Sequence, residues 1–156
     1  MSLRVANRDR SVTKTVAHVR QAVKGGAKLL IGGKARGRIM EPTLLSGVTR
    51  TSPLCAREAF APVAVVETYR RFDAAVAAVN DSEYGLQAGV FTNRMRDIIQ
   101  AFKRIDCGGV VVNDVPTYRV DHQPYGGMKN SGLGREGIRY AIEDMTAVKI
   151  LSLNPR

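Results

Sequence analysis

The chain has 156 residues, 44% apolar, 24% charged and 6% aromatic, with two cysteines and no tryptophan. That composition suits one globular domain or a large piece of one, and it excludes collagen, a disordered tail and a disulfide-dense mini-protein. The formal charge of +10 is uneven: residues 1–50 hold 11 basic and 2 acidic side chains, and residues 51–156 hold 13 and 12.

Residues 1–10 read as a leader or disordered start. Met1-Ser2-Leu3 has no apolar run behind it, so no signal peptide is expected. Val12, Val16, Val19 and Val23 fall at i, i+4, i+7 and i+11, one face of a helix, with Ser11 as N-cap and Gly25-Gly26 as stop. Lys28 to Ile31 reads as a strand, residues 34–38 as a basic loop, and Glu41-Pro42-Thr43-Leu44-Leu45 as extended chain, because the residue before proline is pushed to the β region. A polar connection with Pro53 covers residues 49–57. Val63 to Tyr69 is a β-branched strand. Asp73 caps a second helix that runs to about Val79, and Ala88 to Thr92 is a strand. Arg94 to Ile105 is a third helix, with Met95, Ile98, Ile99 and Phe102 on one side. Gly108-Gly109 leads into the buried strand Val110 to Val112. Residues 114–134 form a long loop with Pro116, Pro124 and four glycines. Glu136 to Met145 is a fourth helix and Val148 to Leu153 a last strand. Strands alternating with helices predict an α/β fold, with a largely parallel sheet and helices on its faces.

The residues offer several chemistries. A basic first third fits nucleic acid or an acidic surface. It equally fits a surface whose acidic partner lies elsewhere in a larger protein. Basic–aromatic interleaving is missing, so nucleic acid is not the expected partner. No run of eighteen apolar residues predicts a membrane span. Cys55 and Cys107 lie far apart with only His18 and His122 as further soft ligands, so no metal site is expected, and two separated thiols suit a cytoplasmic setting. Either thiol would need a neighbouring cation, histidine or helix N-terminus to serve as a nucleophile, and the spacing shows none. Gly132-Leu133-Gly134-Arg135-Glu136-Gly137 matches the dinucleotide pattern G-x-G-x-x-G. No strand leads into it, so it reads as a loop-to-helix junction. Glu58 precedes a phenylalanine and a strand start, where a carboxylate accepts bonds from ribose hydroxyls, although a solvated or arginine-paired glutamate is the commoner case. Tyr118, Arg119, His122 and Tyr125 combine rings, a fixed cation and an imidazole, a wall suited to a small anionic ligand. A loop of that length without structure is usually functional.

Taken in order, Gly26-Ala27-Lys28-Leu29-Leu30, Gly32-Gly33, Pro42-Thr43-Leu44-Leu45, Glu58-Ala59-Phe60-Ala61-Pro62-Val63, Asn80 to Gln87, Gly89-Val90-Phe91-Thr92, Gly109 to Asn113 and Pro124 to Gly137 resemble the C-terminal part of the aldehyde dehydrogenase superfamily. The resemblance covers nearly the whole chain from Ser11 onward. It implies oxidation of a small aldehyde to its acid with NAD or NADP as cofactor, through a cysteine thioester. It also implies that the nucleophile, in a Gly-Gln-x-Cys segment, lies upstream of everything in this chain, so the fragment alone would be inactive. Residues 11–145 would be a portion of the catalytic domain and residues 146–156 an oligomerisation strand and tail, making a homo-oligomer. Glu58 resembles the residue that holds the nicotinamide-side ribose, and Phe60 the one that packs near the nicotinamide. Asn113 to Tyr125 resembles the loop that closes the substrate tunnel, which places Tyr118, Arg119, His122 and Tyr125 toward the substrate. Ala61 stands where the family usually has glycine, and Tyr125 where many members have phenylalanine. The alternative reading is a non-catalytic assembly or binding module.

Overall fold

A computed structural model describes residues 9–154 of the chain, with side chains from residue 11. Residues 1–8 of the expected leader and the last two of the expected tail lie outside the described residues. The chain divides into two units, residues 1–69 and 70–156.

In the first unit, α1 (Asp9–Lys24) buries Val12 and Val19 on the valine face. It begins two residues before Ser11, so Ser11 is helical rather than a cap, and its carbonyl accepts the Thr15 hydroxyl at 2.9 Å. The stop is as expected. Gly26 takes φ +100°, its N–H donates to the Val23 carbonyl, and the Ala27 N–H donates to the Ala22 carbonyl. Those two bonds make a Schellman cap, which needs a residue without a Cβ at the left-handed position. A three-stranded sheet follows in the order β1 (Lys28–Ile31), β4 (Thr43–Ser46), β5 (Val63–Val66). Between β1 and β4 the chain makes a small hairpin, β2 (Ala35–Arg36) and β3 (Ile39–Met40), in place of the expected basic loop. β4 and β5 are parallel, and the crossover between them holds α2 (Pro53–Ala56). Ser52 caps that helix by accepting the Leu54 N–H, and Pro53 takes the first position, where no N–H is needed. Met40 and Leu45, both fully buried, centre a core with Val12, Val19, Ala22, Ala27 and Val48.

The second unit repeats the parallel crossover. β7 (Gln87–Val90) and β8 (Gly109–Val112) are parallel and joined through α4 (Met95–Arg104). α3 (Phe72–Asn80) precedes them, with Arg71 at the cap position and Asp73 inside the first turn, where it pairs with Arg71. β6 (Tyr84–Gly85) pairs antiparallel with β9 (Met128–Lys129), and α5 (Ile138–Met145) closes the unit. Val76, Val90, Ala101 and Ile105 form its core.

The architecture is α/β as expected, with β4/β5 and β7/β8 parallel and the other three pairs antiparallel. Only the two helix-bearing connections are built as crossovers, which parallel strands require. The apolar side of α4 is not its buried side. Ala101 and the carboxylate of Asp97 face inward, while Met95, Ile99 and Phe102 are exposed. Val148 to Leu153 is neither helix nor strand, and Val148, Ile150, Leu151 and Leu153 are exposed. The expected last strand does not form, because a strand needs a neighbour for its backbone groups and no strand among the described residues supplies one there.

Candidate functional site

The expected substrate loop lies wholly within the second unit and starts where β8 ends. Asn113 takes φ +58°, its N–H donates to the Val90 carbonyl at 2.8 Å, and its side-chain oxygen accepts the Thr92 N–H at 2.8 Å. These bonds turn the chain off the sheet. At the other end, Tyr125 and Glu136 form an isolated two-residue bridge, their backbone N–H and carbonyl groups bonding in both directions. Between them the loop closes over the start of β8. Gly108 lies so near Gly126 that an added Cβ would fall 1.6 Å from the Gly126 carbonyl oxygen. Glycine at 108 is therefore required by proximity rather than by dihedral angle.

A cavity of about 290 Å³ results, floored by β8 and walled by Gln87, Tyr118, Gln123, Pro124, Tyr125 and Gly126. The Gln87 amide donates to the Tyr118 carbonyl at 3.2 Å, fixing one wall. The Arg119 guanidinium carbon sits 4.7 Å from the Tyr125 ring centroid, a cation–π contact. Arg119 also donates to a Glu136 carboxylate oxygen at 2.7 Å. Of the four expected loop residues, Tyr118 and Tyr125 thus line one cavity and Arg119 stacks on the second of them. His122 is exposed and does not line it.

Glu58 and Phe60 belong to the first unit, in the irregular segment between α2 and β5. Both are exposed, the Phe60 ring at 73%. Ala61 needs no glycine, for it is not among the described residues with left-handed backbone, and it packs against the core of its unit.

Neither cysteine is activated. Burial, with the charge of Glu67 adding to it, raises the Cys55 thiol above its ordinary value. Burial also raises the Cys107 thiol, which donates to the Gly109 carbonyl at 3.0 Å. Both shifts favour the thiol over the nucleophilic thiolate. Among the described residues no group of three or more His, Cys, Asp and Glu could hold a metal ion, and no helix is long and apolar enough to cross a membrane. The G-x-G-x-x-G segment is a loop-to-helix junction, with Gly137 preceding α5. The short β9 stands before it, but it pairs antiparallel with β6, which is not a β-α-β arrangement.

The model of the aldehyde dehydrogenase family matches residues 6–151. The chain belongs to the aldehyde dehydrogenase family. It is 47% identical over 136 residues to the 3-sulfolactaldehyde dehydrogenase of Priestia aryabhattai, covering 87% of this chain and 28% of that protein. Among solved structures it is similar to aldehyde dehydrogenase 21 of Physcomitrella patens in complex with the reaction product succinate. That match has 40% identity and a TM-score of 0.87, covering 90% of this chain and 29% of that one. It is also similar to the glyceraldehyde-3-phosphate dehydrogenase of Methanocaldococcus jannaschii complexed with NADP, with 37% identity and a TM-score of 0.85, covering 93% and 31%. The chain therefore spans about three-tenths of the length of these aldehyde dehydrogenases.

Several residues around this cavity are not marked by the sequence alone. Gln87, Gln123 and the β8 floor carry no chemical signature on their own. Glu136 stands 17 positions beyond Arg119, and only the Tyr125–Glu136 bridge brings the two together.

Proposed function

We propose that this chain is the C-terminal portion of a cytoplasmic, homo-oligomeric, NAD- or NADP-dependent aldehyde dehydrogenase that oxidises a small aldehyde bearing an anionic group. Residues 11–145 belong to its catalytic domain and residues 146–156 to a subunit contact. The observation that carries the substrate class is Arg119, held 4.7 Å from the Tyr125 ring centroid and paired with Glu136 beside a cavity of about 290 Å³. A planar guanidinium is well matched to sulfonate, carboxylate or phosphate oxygens. The three relatives named above act on, contain or are named for molecules with those three groups.

Glu58 and Phe60 fit the cofactor side. An ionised carboxylate accepts hydrogen bonds only, which suits ribose hydroxyls, and an exposed ring two residues on offers an apolar face to a flat heterocycle. When bound, the cofactor supplies the hydride acceptor. The thiol that attacks the aldehyde comes from outside these residues, since Cys55 and Cys107 are both held as thiols. The isolated chain is accordingly inactive.

The test is steady-state kinetics of the full-length enzyme carrying Arg119→Met. A charge-assisted hydrogen bond of about 1.5–3 kcal/mol predicts a loss of roughly 10- to 150-fold in kcat/KM for anionic aldehydes, with neutral aldehydes of similar size nearly unaffected. Equal losses for both classes would sink the proposal. One observation favours a second reading, a non-catalytic assembly module: the exposed apolar side chains of α4 and residues 148–153. Light scattering at rising concentration, together with failure of the full-length protein to reduce either cofactor, would bring that reading forward.

A further inference from the structure

We propose that Lys129 is a positioning residue for the loop that carries Tyr118, Arg119 and Tyr125. It acts by fastening the chain just beyond the far end of that loop to the C-terminal end of α3. Among the described residues, Asn113 and Lys129 are the non-glycine residues with left-handed φ, at +58° and +54°. Asn113 opens this loop, and Lys129 stands in β9, four residues beyond its Tyr125 end. Asparagine tolerates that conformation through its short polar side chain, but lysine has no such help. A long side chain held in an unfavourable backbone state implies something that holds it there.

The backbone is turned there by the Ser131 N–H donating to the Met128 carbonyl at 3.1 Å and the Asn130 N–H donating to the Glu83 carbonyl at 2.9 Å, and the side chain adds a second hold. The Lys129 ammonium donates to the Asn80 carbonyl at 2.8 Å and to the Ser82 carbonyl at 3.0 Å. These carbonyls lie at and just beyond the end of α3, where the helix dipole favours a cation. Asn80 extends the fastening: its amide donates to the Arg104 carbonyl at 2.6 Å and its oxygen accepts the Asp106 N–H at 2.9 Å. Lys129 thus links the loop to the end of α4, the crossover helix that delivers β8. The cavity floor and the cavity wall are referred to one anchor. Lys129 touches neither the cavity nor Arg119, so its effect on substrate passes through the loop. The kinetic part of this proposal rests on the function proposed above. The anchor itself does not.

The experiment compares Lys129→Gly, which fits the left-handed backbone but removes the ammonium, with Lys129→Arg, which keeps a cation, in the full-length protein. Amide hydrogen exchange of residues 114–127 is expected to quicken about tenfold or more in Lys129→Gly and to stay near wild type in Lys129→Arg. The KM for an anionic aldehyde is expected to rise about tenfold in Lys129→Gly, with kcat and the cofactor KM unchanged, and to recover in Lys129→Arg. Unchanged exchange in Lys129→Gly overturns the proposal. So does quickened exchange with an unchanged aldehyde KM, because Lys129 would then be structural only. If the wild-type enzyme oxidises no aldehyde, the function proposed above fails, and the exchange measurement alone decides whether Lys129 anchors the loop.

Discussion

Replacing Gly108 by alanine measures how closely the site loop must lie on β8. The new Cβ would stand 1.6 Å from the Gly126 carbonyl oxygen, 2.7 Å from its carbonyl carbon and 3.0 Å from the Leu86 carbonyl oxygen. All three are backbone atoms, so no side chain can rotate aside. A carbon and a carbonyl oxygen need about 3.3 Å, so loop and strand must part by roughly 1.5–2 Å. Overpacking costs about 1–3 kcal/mol, and backbone against backbone puts this case near 3. In a full-length protein about three times this size, that lowers the thermal midpoint by roughly 3 °C. A displacement of about 1 Å around a bound substrate costs on the order of 100-fold in kcat/KM. The next residue is the control, because a Cβ on Gly109 meets Gln87 side-chain atoms at 3.5 Å, an ordinary contact. Neither glycine has a left-handed φ, so dihedral strain does not separate them. Scanning calorimetry and kcat/KM of the two full-length variants decide the matter. If Gly108→Ala matches Gly109→Ala in both, the close approach of loop and strand is not what this site depends on.

Three further outcomes follow from the packing and the titrating groups. Leu45→Ala, at a side chain with no exposed surface in the middle of the three-stranded sheet, should cost about 2–5 kcal/mol by urea unfolding; a loss under about 1 kcal/mol would contradict its central place. Burial, with the charges of Lys14 and Arg57 adding to it, holds the His18 imidazole below its ordinary 6.5. The unfolded chain then takes up that proton first as pH falls, so this contribution to stability is whole above pH 6.5 and is lost as pH drops below it. His18→Asn should flatten the acid side of the stability profile, and an unchanged profile would count against that assignment. At neutral pH, Cys55 and Cys107 should alkylate with iodoacetamide more slowly than free cysteine, because burial raises both thiols, and faster labelling of either would contradict it.

Periodicity and punctuation made much of the fold legible before any coordinates. The valine spacing located α1 and its buried Val12 and Val19, the double glycine located its end, and the β-branched runs located β5 and β8. Helix α4 shows where such reasoning stops. Its apolar stripe is legible in the sequence, but a stripe says only which side seeks cover, not what covers it. Met95, Ile99 and Phe102 stay exposed while the Asp97 carboxylate turns inward, 3.2 Å from the Arg94 guanidinium. The last apolar run likewise has β character, and among the described residues no strand pairs with it. At the site, residue chemistry singled out Tyr118, Arg119 and Tyr125. It also singled out His122, which stands apart from the cavity. Glu136 and Lys129 were out of reach, because their partners Arg119 and Asn80 are 17 and 49 positions away along the chain.

The two parallel crossovers also bear on how fast this chain folds. Thr43 faces Val63 across β4 and β5, and Gln87 faces Gly109 across β7 and β8, separations of 20 and 22 positions. Loop-closure entropy grows only as the logarithm of length, so the two closures differ by about 0.1 kcal/mol. Neither strand pair has an entropic head start. Local structure in the connecting segment must set any difference in rate: ten residues of α4 in the second crossover against four of α2 in the first. A longer helix shortens the path between strand ends and can form within about a microsecond, before the strands meet. Strand pairing around α4 should therefore come first, with its transition state sensitive to substitutions in that helix.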